Sequence, residues 1–212
     1  MEVREKEKML VTKALNELKL LDARINREIN SSSFIMAAKT SEKKVTPYMT
    51  KQQFSENVTA NYQSIIDLIH RRASIKAGIV ASNAVTYVEI NGESMTRAEA
   101  IELKGSIEYE AGLLRILKNQ LANAESTVNH ENVRLENKID NMLETMISKE
   151  AKTKKEDFFE IVAPIREAGE YSLVDPINIR EKIDMLENRI SGFMSEVDSV
   201  LQISNCTTYI EI

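Results

Sequence analysis

Apolar residues recur at steps of three and four along four long stretches of this chain. The first runs from about Val3 to Ile29 and puts Val11, Ala14, Leu18, Leu21, Ile25 and Ile29 on one stripe, which predicts an amphipathic helix. Phe54, Val58, Tyr62, Ile65, Ile69 and Ala73 mark a second, running to about Ala81, and Thr50 with Gln53 three residues later is the capping-box pattern that starts it. A third opens on another capping box, Thr96-Arg97-Ala98-Glu99, and passes through Ile107, Ala111, Leu114, Leu117, Leu121 and Ala124. Beyond a candidate break at Asn129-His130 it continues through Leu135, Ile139, Met142 and Met146 to about Lys152. The fourth starts at Asp175-Pro176, a cap residue before a proline, and steps through Ile179, Ile183, Leu186, Ile190, Phe193, Val197 and Leu201 as an unbroken heptad. Between the last two, Phe158–Val162 is a short apolar run ending near Pro164, and Gly169 with Tyr171–Val174 predicts a turn and a short strand.

One segment occurs twice. Ser82-Asn83-Ala84-Val85-Thr86-Tyr87-Val88-Glu89-Ile90 returns as Ser204-Asn205-Cys206-Thr207-Thr208-Tyr209-Ile210-Glu211-Ile212, with six of nine positions identical. A fainter copy is Asn30-Ser31-Ser32-Ser33-Phe34-Ile35-Met36-Ala37. Each follows a helical pattern, so each predicts a helix, a stop at Asn, and a short strand, the faint one over about Ser32–Ala37. The polar stretch Lys39 to Pro47, with three lysines, is a connector or a mobile lid. Asn91-Gly92 is a tight-turn signal that releases the chain from the first strong copy toward the helix at Thr96. These elements define a mainly α fold: long antiparallel helices forming a helical bundle, with a small β-sheet of short strands that follow helices. The expected organisation is a single elongated helical domain over 1–212, with about 125–173 as a variable helical insert.

Side chains alternate along a strand, so the two strong copies have two faces. Thr86/Thr208, Val88/Ile210 and Ile90/Ile212 form the face expected in the core, while Val85/Thr207, Tyr87/Tyr209 and Glu89/Glu211 form the other. A tyrosine beside a carboxylate outside the core has two readings: a sheet face used in subunit packing, or a platform on which a planar base stacks. The first copy leads within one turn to the helix start at Thr96 and Arg97, where unpaired N–H groups suit phosphate. Arg72 and Lys76, four apart, share a helix face that is either solvated or an anion contact.

Composition narrows this further. Charged residues make up 29% and aromatics 5% with no Trp, which favours narrow helical seams over one large core and calls for a partner chain. Gly (6) and Pro (3) are scarce, in keeping with few, long elements. A net charge of -5 argues against DNA or RNA as a partner. The lone Cys206 permits no intrachain disulfide and fits a reducing, cytoplasmic setting; falling in a predicted strand, it is expected to be buried and inert. No apolar run reaches the ~20 residues of a membrane span, and Met1–Lys8 does not resemble a signal peptide. His70 and His130 lack metal-site spacing, and no phosphate loop, nucleophile elbow or carboxylate pair occurs, so neither metal, cofactor nor enzymatic activity is expected.

The segment Ile79 to Ile101, through Ser82-Asn83-Ala84, Thr86, Val88, Asn91-Gly92, Met95-Thr96 and Ala98-Glu99-Ala100-Ile101, resembles the septicolysin-like family of small helical proteins. The C-terminal heptad closing in Asn205-Cys206-Thr207-Thr208 looks like that family's ending and the first helix like its opening, although Cys206 stands where the family often has Trp and Glu125–Leu173 departs from it. The chain is also similar in kind to phage immune-evasion sponges, which bind cyclic dinucleotides of the CBASS defence pathway without cleaving them. That resemblance implies a homo-oligomer, a dimer or tetramer without membrane attachment, that sequesters a nucleotide such as 3',3'-cyclic GMP-AMP in the host cytoplasm. Tyr87 and Tyr209 would stack on the bases, Asn83, Thr86, Asn205 and Thr208 would hydrogen-bond, and Thr96, Arg97, Arg72 and Lys76 would hold phosphate. The alternative is a phage structural or assembly protein acting through helical and strand contacts between subunits.

Overall fold

Each long apolar stripe becomes a helix in the computed structural model, which describes residues 7–149 and 155–212, including side chains except those of 147–149 and 155–161. The chain is 75% helical and mainly α, with small two-stranded antiparallel sheets. In order, the elements are β1 (Lys8–Leu10), α1 (Val11–Ser31), β2 (Lys44–Thr46), β3 (Met49–Thr50), α2 (Lys51–Val85), β4 (Tyr87–Ile90), β5 (Glu93–Thr96), α3 (Arg97–Lys149), α4 (Lys155–Gly169), α5 (Ile179–Thr207) and β6 (Tyr209–Glu211). The sheets are β1–β6, β2–β3 and β4–β5. Contacts divide the chain into two units, one ending at Lys104 and resuming at Phe193–Ile212, the other Gly105–Gly192.

In the first unit, Val11, Ala14, Leu18, Leu21 and Ile25 of α1 bury against Ile75 and Ile79 of α2, and Met9 and Ile210 of the β1–β6 sheet close the end of this core. Ion pairs flank the seam: Arg71 Nη1 lies 2.5 Å from Glu7 and its Nε 2.8 Å from Glu17, while Arg72 pairs with Asp22. Gly78 lets α2 approach the sheet, because a Cβ there would sit 3.2 Å from both Glu211 O and Ile212 Cγ2. Thr50 caps α2 as expected, receiving the Gln53 N–H while the Gln53 side chain accepts from the Thr50 N–H.

Several boundaries differ from those the sequence predicts. The first helix begins at Val11, because residues 8–10 are drawn off as a strand by β6; Met1–Lys6 lie outside the described residues. The faint repeat copy forms no strand over 32–37, where the C-cap Ser32 bonds back to Glu28 O and the chain has no partner strand. The sheet pairing falls instead in the lysine-bearing stretch, where β2 and β3 make a short hairpin tied to α2 by Lys51 N to Lys43 O at 2.9 Å. Asn83 and Asn205 do not stop their helices. Thr86 N donates to Ser82 O and Thr208 N to Ser204 O, both at 3.0 Å, so the helical ladder runs on and the stop moves to the threonines. Cys206 consequently lies exposed in the last turn of α5, where it accepts a 3.4 Å contact from Thr12 Oγ1, rather than buried in a strand.

In the second unit, α3 is unbroken through Asn129-His130, because the Leu135 and Ile139 repeat continues the same seam. Ile107, Leu117 and Ile139 of α3 and Ile183 of α5 are buried there. Glu110–Arg189, Lys118–Glu187 and Glu125–Arg180 pair along α3 and α5 in descending order, which sets these segments antiparallel. The run at Phe158–Val162 belongs to α4, which carries Pro164 inside it; the side chains of residues 155–161 lie outside the described ones. Tyr171–Val174 is not a strand. The Asn132 side-chain amide takes the place of a strand partner there, donating to Tyr171 O at 2.9 Å and accepting from Tyr171 N at 2.8 Å. The fourth helix starts at Ile179 rather than Pro176, since Asn178 takes a left-handed φ of 55°, and Asp175 caps it by accepting from Ile179 N at 2.8 Å.

Candidate functional site

The two strong repeats build two corners of one design. In each, a helix ends on threonine, a short strand follows, and an antiparallel partner strand leads directly into another helix: α2–β4 with β5–α3, and α5–β6 with β1–α1. The first residue of the departing helix bonds to the threonine that ended the arriving one, Arg97 N to Thr86 O at 2.8 Å and Val11 N to Thr208 O at 2.9 Å. In the first corner Asn91 and Gly92 join the strands through φ values of 51° and 75°, the mirror-image turn that suits a two-residue hairpin. In the second, the strands come from opposite ends of the sequence and are held by paired bonds between Glu7 and Ile212, at 3.1 and 3.0 Å. The two copies are therefore not neighbouring strands: β4 pairs with β5 and β6 with β1.

The expected two-faced alternation holds in both copies. Val88, Ile90 and Ile210 are buried, whereas Tyr87 is 68% and Tyr209 55% exposed. Val85 and Ile203 at the adjoining helix ends are exposed as well.

Where the corners differ is the first helical residue, Val11 in one and Arg97 in the other. Arg97 is completely buried. Its Nη2 donates to Ser82 Oγ at 2.6 Å and its Nη1 to Asn205 Oδ1 at 3.1 Å, so one guanidinium holds the Ser of the first repeat and the Asn of the second. Its Nε has no hydrogen-bond partner. Burial pushes its pKa down from the ordinary arginine value. Its contacts are neutral oxygens, yet the C-terminal turns of α2 and α5 both end against it, and helix C-termini carry partial negative charge that favours a cation. This offsets part of the cost of removing a guanidinium from water.

The remaining predicted site residues divide around that brace. Thr86, Tyr87, Thr96, Arg97 and Asn205 come together at the first corner, with Tyr87 and Thr96 cross-strand partners. Thr96 caps α3: its hydroxyl receives Glu99 N at 3.2 Å, and its N–H and hydroxyl donate to Glu99 Oε2 at 2.7 and 2.8 Å. The N–H bond first, then the hydroxyl, holds the Glu99 carboxyl below its usual range. Thr208 and Tyr209 belong to the other corner, where Lys8 Nζ sits 5.2 Å from the Tyr209 ring centroid. Arg72 is engaged with Asp22 in the α1–α2 seam. Lys76 is exposed on α2, and Asn83 is half-buried in the last turn of that helix. Arg97 is thus an interior tie instead of an exposed phosphate ligand. Ser82 was not among the candidate residues, though its recurrence at Ser204 was the signal for it.

A hollow of about 190 Å³ between the β2–β3 hairpin and α2 is walled by Met36, Met49, Phe54 and Val58 with Asn57 and Asn61, below the ~300 Å³ from which small-molecule sites usually start. Among the described residues no group of three or more His, Cys, Asp and Glu is placed to hold a metal, and no helix is long and apolar enough to cross a membrane. Comparisons with protein-family models, curated proteins and solved structures returned no match for this chain.

Proposed function

We propose that this chain is a non-enzymatic assembly protein, a subunit that works by joining copies of itself through helix and strand surfaces. The observation that carries the reading is the division of labour inside the repeat. Its polar side chains Ser82 and Asn205 are spent on Arg97, while its apolar and aromatic members Val85, Tyr87 and Tyr209 are left exposed. Exposed aromatics near a well-braced backbone suit a protein interface, where tyrosine adds large contact area at low entropic cost. Light scattering on the purified chain tests this. The expected result is a mass above one subunit that falls when Tyr87 and Tyr209 are both changed to Ala; a single-subunit mass for the unaltered protein at tens of micromolar overturns it.

A second reading, sequestration of a cyclic dinucleotide, keeps the free Tyr87 ring in its favour. With Arg97 and Arg72 engaged, Lys76 is left as the cation of its proposed phosphate set. Isothermal titration with a panel of cyclic dinucleotides tests it: heat of binding that disappears in Tyr87→Ala supports it, and no heat across the panel ends it.

A further inference from the structure

Asparagine side chains are thermally labile, and the fold decides which of them in this chain can react. The backbone nitrogen after an asparagine closes a succinimide ring on the side-chain amide carbon only where that nitrogen is unengaged and the backbone can turn toward the side chain. In a helix neither condition holds, because ψ is fixed and each N–H is bonded to a carbonyl one turn back. Among the described residues the asparagines outside helices are Asn91 and Asn178, both at a left-handed φ, 51° and 55°.

Their neighbours separate the two. After Asn178 the nitrogen belongs to Ile179, whose N–H donates to Asp175 Oδ2 at 2.8 Å and whose branched Cβ crowds it. After Asn91 it belongs to Gly92, which is exposed, carries no side chain and has an N–H without an acceptor among the described residues. The Asn91 side chain is exposed and without a partner there as well. What holds this turn lies beside the reacting atoms: Ile90 pairs with Glu93 across it, and the Asn91 N–H donates to Glu196 of α5 at 2.7 Å. Ring closure needs the Asn91–Gly92 peptide plane to swing out of the mirror-image turn, so the Glu196 anchor sets how often the reactive geometry is reached.

We propose that Asn91 is a site of spontaneous deamidation and that Glu196 is its brake. The Gly92 nitrogen bonds to Asn91 Cγ and gives its proton to solvent, the Cγ–Nδ2 bond breaks, and ammonia leaves with a proton taken from solvent. Water then opens the succinimide at either carbonyl, leaving aspartate or isoaspartate at this position. Either product places a carboxylate close to the one that anchors the turn, and isoaspartate also adds a methylene to a two-residue loop whose length fixes the strand register. The change does not reverse in water, so it acts as a slow covalent clock that frees the β4–β5 tip from α5.

Timed incubation of the full chain in mildly alkaline buffer tests this, read by peptide mapping with fragment-ion sequencing and by labelling with an isoaspartate methyltransferase. In the folded parent, Asn91 should gain the amide-to-acid mass and become methylatable before any other asparagine. Glu196→Ala should speed this several-fold, and Glu196→Gln, which keeps an acceptor, should stay near the parent rate. Asn91→Asp supplies the charge of the product directly and should melt below the parent with its helical circular dichroism retained. Retention of the Asn91 amide, or earlier conversion of another asparagine, overturns the site. Equal rates in Glu196→Ala and the parent, both folded by circular dichroism, overturn the brake, and an Asn91→Asp chain that melts with the parent overturns the release of the tip.

Discussion

Arg97 Nη1 reaches Asn205 Oδ1 at 3.1 Å and so ties together two copies of a repeat that lie more than a hundred residues apart in sequence. The same guanidinium holds Ser82, and three helix ends meet on one side chain. Arg97→Ala leaves the Asn205 and Ser82 acceptors and a side-chain-sized hole, and should lower the unfolding free energy by about 3 kcal/mol. Arg97→Met fills most of that volume without a charge to desolvate, and should cost clearly less. Urea unfolding followed at 222 nm ranks the two; equal stability of Arg97→Ala and the parent would show that the brace contributes nothing.

The caps are the next test. Thr50 and Thr96 each complete a capping box at the start of a long helix. Thr50→Ala and Thr96→Ala should each cost about 1 kcal/mol, whereas Thr→Ser at either site should be nearly neutral because the hydroxyl is retained. Thermal melts of the four variants decide this.

Acid should loosen the protein from identifiable points. The Glu99, Glu7 and Glu136 carboxyls are held below the usual value of 4.5, the first by the Thr96 N–H, the second by the Arg71 hydrogen bond, the third by the Arg166 hydrogen bond. A carboxyl with a depressed folded-state pKa adds stability that is present above its unfolded value and is lost as pH falls through the folded one. Stability should therefore be flat above 4.5 in respect of these groups and fall below it. Glu99→Gln, measured by urea midpoint from pH 7 down to 3, should reduce that fall; an unchanged slope would remove Glu99 from the account.

How much of this was legible in the sequence depends on what each residue needed as a partner. The α1 and α5 stripes were readable because a helix face needs only its own periodicity, and Thr50, Thr96 and Asn91-Gly92 because caps and turns are local. The strand β1 was not, since Lys8–Leu10 is a strand only because β6, some two hundred residues later, pairs with it. The Asn residues looked like helix stops, yet a neighbouring guanidinium gives Asn205 an acceptor role inside the last turn. Arg97 at a helix start looked like an anion contact for the same reason: nothing local shows that two helix C-termini close over it.

Glycines give opposite expectations that one experiment can compare. At Gly78 any larger side chain presses on Glu211 O and Ile212 Cγ2, already 3.2 Å from a Cβ, so Gly78→Leu should push β6 from α2 and cost about 1–3 kcal/mol. At Gly105 the space is open, and Gly105→Ala should add about 0.5–1 kcal/mol. Thermal unfolding of the two variants should move in opposite directions, and a loss at Gly105 would contradict the packing described.

The measurement closest to the central claim is a native mass spectrum of the unaltered protein, which weighs subunits and any bound small molecule together. The assembly account expects a multiple of 24.1 kDa with no added mass. A lone 24.1 kDa species, or an oligomer carrying the extra mass of a cyclic dinucleotide, would contradict it.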